Sequence, residues 1–147
     1  MADRTFRCLS VRQPWVWAIF HAGKDIENRD WKATNPGLRV RGRVLIHASS
    51  GMTRSEWDDA LTTMHGINYE RPFPAGLAMP AYEDLPRGCL YGGVTIVDCV
   101  RSHSSPWFFG EIGLVLADPK PLPRPIPYKG QLGFFAVPES ALSEPGA

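Results

Sequence analysis

The fold is decided by residues 9–31, which read LSVRQPWVWAIFHAGKDIENRDW. The stretch opens as a short strand, and Pro14 then suits the first position of a helix because it has no backbone N–H to leave unpaired. Apolar residues cover nearly all sides of the following segment, which predicts a mostly buried helix over 14–22. Gly23 is typical of the residue that follows a helix, and the alternating residues of 24–31 predict a strand.

Outward from this stretch, the sequence predicts four further strands, over 42–49, 88–100, 112–117 and 132–137. A capping box at Thr53–Glu56 begins a second helix, which Gly66 is expected to end. The pair Gly92-Gly93 inside a strand indicates a bulge or a sharp bend. Several strands, two helices and no alternating βαβ order indicate an α+β fold with a curled or closed sheet.

Two segments have no periodic pattern of apolar residues. Residues 67–87 contain four prolines and are expected to form a long loop. In 119–127 every second residue is proline, which enforces an extended backbone and restricts the segment to a sheet edge or a surface strap. We expect one domain over 1–147, with 139–147 as a flexible tail.

The composition disfavours several classes of protein. No apolar run approaches the roughly 18 residues of a membrane span, so we expect a cytoplasmic protein with no membrane partner. Cys8, Cys89 and Cys99 are far apart and odd in number, which favours reduced thiols over a disulfide framework. The four histidines lack metal-binding spacing, so no metal and no cofactor is expected.

Charge is distributed unevenly along the chain. The net charge is only +1, yet residues 1–47 contain nine of the 16 Lys and Arg residues against four acidic ones. Such asymmetry predicts a basic face that suits a phosphate-bearing partner, although ordinary surface charge explains it equally well.

Lys24, Glu27 and Arg29 are the candidate site residues that the pattern itself singles out. Glu27 and Arg29 share one face of the predicted strand, whereas Lys24 has the opposite parity. Lys24 therefore meets Glu27 only if the chain bends just after Gly23, a bend that a glycine permits. Together the three side chains suit phosphate binding, hydrogen bonding to a base edge or acid/base chemistry. The alternative is a surface ladder of salt bridges.

Two tryptophans and one histidine are weaker candidates. Trp31 and Trp107 lie beside polar residues at the ends of predicted elements, where an exposed indole stacks on a base. Packing over the mouth of a barrel is the alternative for both. His47 lies on the less apolar face of the strand over 42–49, so it either faces the cleft or hydrogen-bonds behind it.

The chain resembles the ASCH domain family in the segments LSVRQPW, GKDIENRDW and GRVLIHA at 9–15, 23–31 and 42–48. The hallmark of this family is a helix that opens with Q-P-W, followed by a lysine and an E-x-R pair. Segments similar to other family features lie at 88–94, 107–110 and 127–130. The resemblance extends over roughly 8–138 and implies a small PUA-like mixed β-barrel with two main helices packed at its ends.

The resemblance implies three kinds of function. Members that are similar in fold include nucleic-acid binders, amidohydrolases of acetylated cytidine, and ribonucleases. The fold alone does not choose among them. In the amidohydrolases the lysine is followed three positions later by a nucleophilic threonine, and a downstream glutamate completes the set. Here that position is Glu27, which removes the hydroxyl. Glu111 is the candidate for the downstream carboxylate.

We therefore expect a binding module that receives RNA, single-stranded DNA or a nucleoside-like small molecule. Its candidate ligand-binding residues are Arg12, Gln13, Lys24, Glu27, Arg29, Trp31, His47 and Trp107. Arg12, Lys24 and Arg29 are expected to hold phosphate, while Gln13 and Glu27 read base edges. The alternative is a small hydrolase, a modified-cytidine amidohydrolase or a ribonuclease, with Lys24, Glu27 and Glu111 as catalytic residues. A third alternative, a protein-interaction domain that uses the proline strap at 119–127, has only composition behind it, and the sequence identifies no particular protein partner.

Overall fold

A computed structural model describes residues 3–143. The helices and strands are β1 (Thr5–Val11), α1 (Trp15–His21), β2 (Ile26–Arg29), β3 (Gly42–Ala48), α2 (Arg54–Glu70), β4 (Cys89–Val100), β5 (Ile112–Pro127) and β6 (Phe134–Pro138). Short 3-10 helices are formed by Pro36–Arg39, Tyr82–Asp84 and Glu139–Leu142. Across the described part of the chain, neither α-helix is long and apolar enough to cross a membrane.

The strands form one six-stranded sheet in the order β2-β5-β4-β3-β1-β6. Neighbouring strands are antiparallel except β1 and β3, which run parallel. A parallel pair needs a crossover connection, and α1 with β2 supplies it. The sheet curls into a half-barrel, which confirms the predicted α+β, PUA-like class.

Gly92, Gly93 and the prolines of 119–127 lie at the kinds of position in the sheet that the sequence predicts for them. The pairing of β4 with β5 shifts register around Gly92 and Gly93, so the predicted bulge is present. A Cβ at Gly92 would lie 2.5 Å from the Lys120 carbonyl oxygen, so only glycine fits there. Residues 112–115 of β5 lie between β2 and β4, whereas the proline-rich 119–127 pairs with β4 alone. The predicted edge position of this segment is confirmed.

Helix α1 lies between the sheet and α2. Val16, Ile19 and Phe20 pack into the main cluster of the sheet. Trp17 and Ala18, on the other side of the helix, pack with Met64 and the neighbouring apolar residues of α2. The prediction of a helix buried on most sides is confirmed, and this burial fixes the point at which the chain leaves α1 toward β2.

Three predicted boundaries need correction or completion. The capping box of Thr53 and Glu56 begins α2 as predicted, but the helix continues through Gly66 to Glu70. Gly66 does not end it because Met64 and Ile67, on either side, are both buried and hold the turn in place. The predicted loop therefore begins only after α2. Of the predicted tail, Glu139–Leu142 form a 3-10 helix and 144–147 lie outside the described residues.

Candidate ligand-binding cleft

The turn after α1 brings Lys24 to Glu27. Gly23 has a φ of +78°, which only glycine adopts freely, and the Lys24 backbone N–H donates to the Ala18 carbonyl at 3.1 Å. The Lys24 Nζ then donates to the Ile26 carbonyl and lies 3.3 Å from Glu27 Oε1. The bend that the sequence required for this convergence is therefore present.

Glu27 also binds Arg29, so three charged side chains form a line that we call the buried charged row (Lys24, Glu27 and Arg29). Glu27 Oε2 lies 3.0 Å from the Arg29 guanidinium. The side chains of Lys24, Glu27 and Arg29 are only 3%, 10% and 16% exposed. The alternative of a surface salt-bridge ladder is wrong. The side chains of such a ladder would be solvated, whereas these three are buried.

Burial determines the electrostatics of the row. Loss of solvent around the ammonium group lowers the pKa of Lys24 below its usual 10.5, and the nearby Glu27 carboxylate opposes this only in part. Arg29 donates to the Ser10 carbonyl at 2.7 Å, and its guanidinium carbon lies 4.9 Å from the centre of the Trp31 ring. The Arg29 Nε is buried without a hydrogen-bond partner, so the row contains one unsatisfied donor that solvent does not reach.

Two adjoining cavities open onto the row. The larger one, which we call the cleft, has a volume of about 930 Å³ and is lined by Arg12, Glu27, Arg29, Asp30 and Glu111 together with neutral residues. The smaller one, which we call the Lys24 pocket, has a volume of about 330 Å³. It is lined by Trp15, Lys24, Glu27, Asn28, Thr63 and Phe109. The two cavities share Trp15, Glu27, Asn28 and Phe109, so they adjoin each other.

Asn28 determines which aromatic residue reaches these cavities. Its side-chain amide donates to the Trp107 carbonyl at 2.9 Å, and its oxygen accepts from the Phe109 N–H at 2.8 Å. Phe109 is 49% exposed and lies on the wall of both cavities. Trp107 is fully buried and stacks on Phe73. The structure thus places Phe109 at the cleft and Trp107, a predicted candidate, in the core.

Arg12 lies at the rim of the cleft, and its guanidinium group already forms an ion pair. Its guanidinium donates twice to the Glu56 carboxylate, at 2.7 and 2.6 Å. Hydrogen bonding to Arg12 lowers the pKa of Glu56 to about 2. Glu56 also accepts from the Thr53 N–H at the start of α2. Arg12 is therefore tied to the cap of a helix, and its side chain remains 48% exposed.

Gln13 does not reach the cleft. It is fully buried, and its side-chain oxygen accepts from the Trp17 N–H while its amide donates to the Pro86 carbonyl, both at 2.9 Å. The side chain is occupied in holding the start of α1 against the segment before β4. The sequence does not reveal this role, because a glutamine just before a helix can either hydrogen-bond to the helix backbone or face a binding site.

Of the remaining predicted residues, one lines the cleft and two do not. Glu111 is exposed and lines the cleft. Trp31 packs beside Arg29 and Phe134 and lines neither cavity. His47 is 2% exposed and lies behind Ser10, its neighbour across the paired strands β1 and β3. Among residues 3–143, no three metal-ligating side chains are grouped to hold a metal ion.

The curled half-barrel, its two helices and the charged row after α1 define an α+β domain of the PUA-like class. The model of the ASCH domain matches residues 9–133, and the chain belongs to this family, which is associated with RNA binding. Similar proteins include activating signal cointegrator 1 of Homo sapiens, 32% identical over 97 residues, and of Mus musculus, 31% identical over the same length. Each match covers 63% of this chain but spans only 14% of the relative.

Proposed function

We propose that the chain binds single-stranded RNA and holds one unstacked nucleobase in the Lys24 pocket. The observation that carries the proposal is the buried charged row, which opens into a pocket with two aromatic walls, Trp15 and Phe109. A base needs flat apolar surfaces for its faces and hydrogen-bonding groups for its edge. The association of the family with RNA binding favours RNA over DNA as the ligand.

The row offers both donors and acceptors to such a base. Each oxygen of Glu27 binds one cation and keeps further acceptor capacity. The Lys24 ammonium has three N–H donors, of which the Ile26 carbonyl and Glu27 use two. A base edge that presents a donor beside an acceptor is therefore the best fit.

The charges of the two cavities are balanced. Arg12, Lys24 and Arg29 face Glu27, Asp30 and Glu111, three basic against three acidic side chains. Because all three cations already contact a carboxylate, the site does not collect phosphates along a strand. Affinity should depend only weakly on salt, with a slope of log K against log [salt] near that of one phosphate, about −0.7.

Fluorescence anisotropy with a labelled RNA of about ten nucleotides and mixed sequence tests the proposal. Phe109→Ala removes one wall of the pocket without disturbing the core. It should weaken binding about tenfold or more, because base stacking on an aromatic residue contributes about 1–3 kcal/mol. The matched control is Tyr69→Ala, since Tyr69 is 93% exposed and lines neither cavity. This control should bind like the wild type.

Equal losses in the two variants, or no binding by the wild type at about 50 mM salt, would refute the proposal. A steep salt slope typical of six or more phosphates would contradict the balanced-charge argument. A deoxyribose oligomer of the same sequence is included as a separate sample. Tighter binding of that oligomer would show that the preference for RNA is wrong while the pocket stands.

A second candidate function is hydrolysis, of acetylated cytidine or of an RNA phosphodiester, with Lys24 and Glu27 as the acid/base pair and Glu111 as a further carboxylate. Thr63 favours it, because this residue lines the Lys24 pocket and carries the type of nucleophile that is absent at position 27. Chromatography of acetylated cytidine, or of RNA, incubated with the same preparations should then show cytidine or shortened RNA, respectively. Turnover that is absent in the wild type, or that survives Thr63→Val, would remove this candidate.

A further inference from the structure

Another cavity adjoins the cleft. We call it the second cavity, because it is the second one that shares residues with the cleft. It has a volume of about 620 Å³ and shares Ser10, Ser49, Ser50 and Leu132 with the cleft. It shares no residue with the Lys24 pocket. The cleft therefore adjoins both other cavities, and the three together form the groove considered for a ligand.

The chemistry of the groove changes at the shared serines. The cleft contains three acidic side chains, whereas the second cavity is lined by none. The backbone N–H groups of Ser10 and Ser49 are occupied in bonds to the Gly133 and Val11 carbonyls, and the Ser10 hydroxyl lies against His47 Nδ1. Ser49 and Ser50, which line both cavities, supply the remaining hydroxyl groups. Lys129 lines the second cavity, is exposed, and makes no ion pair among residues 3–143. This end of the groove suits an anion better than the cleft does.

The wall of the second cavity is held from beneath by His47. The His47 Nε2 lies 2.6 Å from the Tyr128 carbonyl, which fixes it as the donor nitrogen, and Nδ1 lies 3.4 Å from Ser10 Oγ. A Cβ at Gly130 would lie 2.6 Å from His47 Nδ1, so the segment crosses the imidazole only because it has glycine there. The loop from Tyr128 to Gly130 is thereby fixed beside the junction serines.

From this arrangement we infer that the second cavity is a subsite for a second nucleotide, so that the ligand is RNA of at least two nucleotides. The inference rests on the proposed function. With one base in the Lys24 pocket, the phosphodiester group lies beside the hydroxyl groups of Ser49 and Ser50. The adjoining nucleoside lies against Tyr128, with Lys129 beside the phosphate.

Titrations followed by ¹⁵N–¹H NMR spectra separate the two ends of the groove. The probes are adenosine, cytidine, guanosine and uridine, each compared with its dinucleoside monophosphate (ApA, CpC, GpG and UpU). A nucleoside should shift amide signals around Lys24 and Phe109 only. The matching dinucleoside monophosphate should also shift those of Ser49, Ser50 and Gly130, and should bind about tenfold more tightly.

Lys129→Gln should weaken binding of the dinucleoside monophosphate about threefold and leave nucleoside binding unchanged, since one exposed cation contributes modestly. The matched control is Lys120→Gln, an exposed lysine that lines none of the three cavities. It should change neither affinity.

If nucleosides bind but the dinucleoside monophosphates bind no more tightly and leave Ser49, Ser50 and Gly130 unshifted, the second subsite is wrong and the proposed function stands. If neither kind of probe shifts the signals of Lys24 and Phe109, the base pocket is wrong and the inference is overturned with it.

Discussion

The buried charged row and the Arg12–Glu56 pair use the same chemistry at two depths. Lys24 and Glu27 have side chains that are 3% and 10% exposed, whereas those of Arg12 and Glu56 are 48% and 37% exposed. Removing one partner of a buried pair leaves the other charge without compensation, whereas an exposed partner is replaced by water. The row therefore behaves as a fixed part of the fold. At the rim, we expect Arg12 to be able to exchange Glu56 for a ligand.

Glu27→Ala should have the largest effect, because it leaves two cations in the row without their shared carboxylate. We expect the free energy of unfolding to fall by about 3–5 kcal/mol, measured by urea denaturation at pH 7. Glu111→Ala is the matched control, an exposed glutamate on the same cleft, and should change stability by less than about 0.5 kcal/mol. Similar losses in the two variants would show that the row is solvated like the rim.

Glu56→Gln should have a smaller effect of a different kind. Glutamine can still accept from the Thr53 N–H, so the helix cap persists and stability should fall by less than about 1 kcal/mol. Arg12 loses its anionic partner and becomes available to phosphate. We expect tighter binding of the labelled RNA and a slope of log K against log [salt] that is steeper by about 0.7. An unchanged slope would mean that Arg12 takes no part in binding.

Lys24→Met should alter how stability depends on pH, in addition to a pH-independent loss of the Lys24 contacts with Glu27 and the Ile26 carbonyl. The pKa of Lys24 is lowered in the folded state, so between that value and 10.5 the unfolded chain binds more protons. Raising the pH through this window should therefore stabilise the wild type relative to the variant. Burial raises the pKa of Cys8 to about 12 and that of Cys89 to about 11, which acts in the opposite direction. Both proteins share those thiols, so the difference between them isolates Lys24.

Guanidinium denaturation of wild type and Lys24→Met at several values between about pH 7 and 10.5 measures this difference. A difference that stays flat or falls as the pH rises would show that Lys24 is not desolvated in the folded protein.

Local signals made part of the site predictable. Gly23 supplied the bend that joins Lys24 to Glu27, and the alternation of β2 placed Arg29 on the same face. The capping box at Thr53 was equally local. Each of these features depends on residues within a few positions of one another, where backbone geometry leaves few alternatives.

The rest of the site depends on contacts between distant segments. Phe109 faces the cleft because Asn28, about eighty residues earlier, binds the backbone on both sides of residue 108. No periodic pattern shows which residue of the turn such a bond will expose, so Trp107 was the wrong choice. His47 is covered by the loop at Gly130, and that contact is equally invisible in the sequence of β3 alone.

The position of Trp15 also gives the protein an optical signal of its own. Trp15 lies on the walls of both the cleft and the Lys24 pocket, whereas Trp17 and Trp107 are buried in the core. An indole ring whose surroundings change from water to a stacked base changes its emission. The background comes from the other four tryptophans, none of which lines the cleft, the Lys24 pocket or the second cavity: Trp17, Trp31, Trp57 and Trp107. Occupancy of the pocket can thus be followed by intrinsic fluorescence, without any label on protein or ligand.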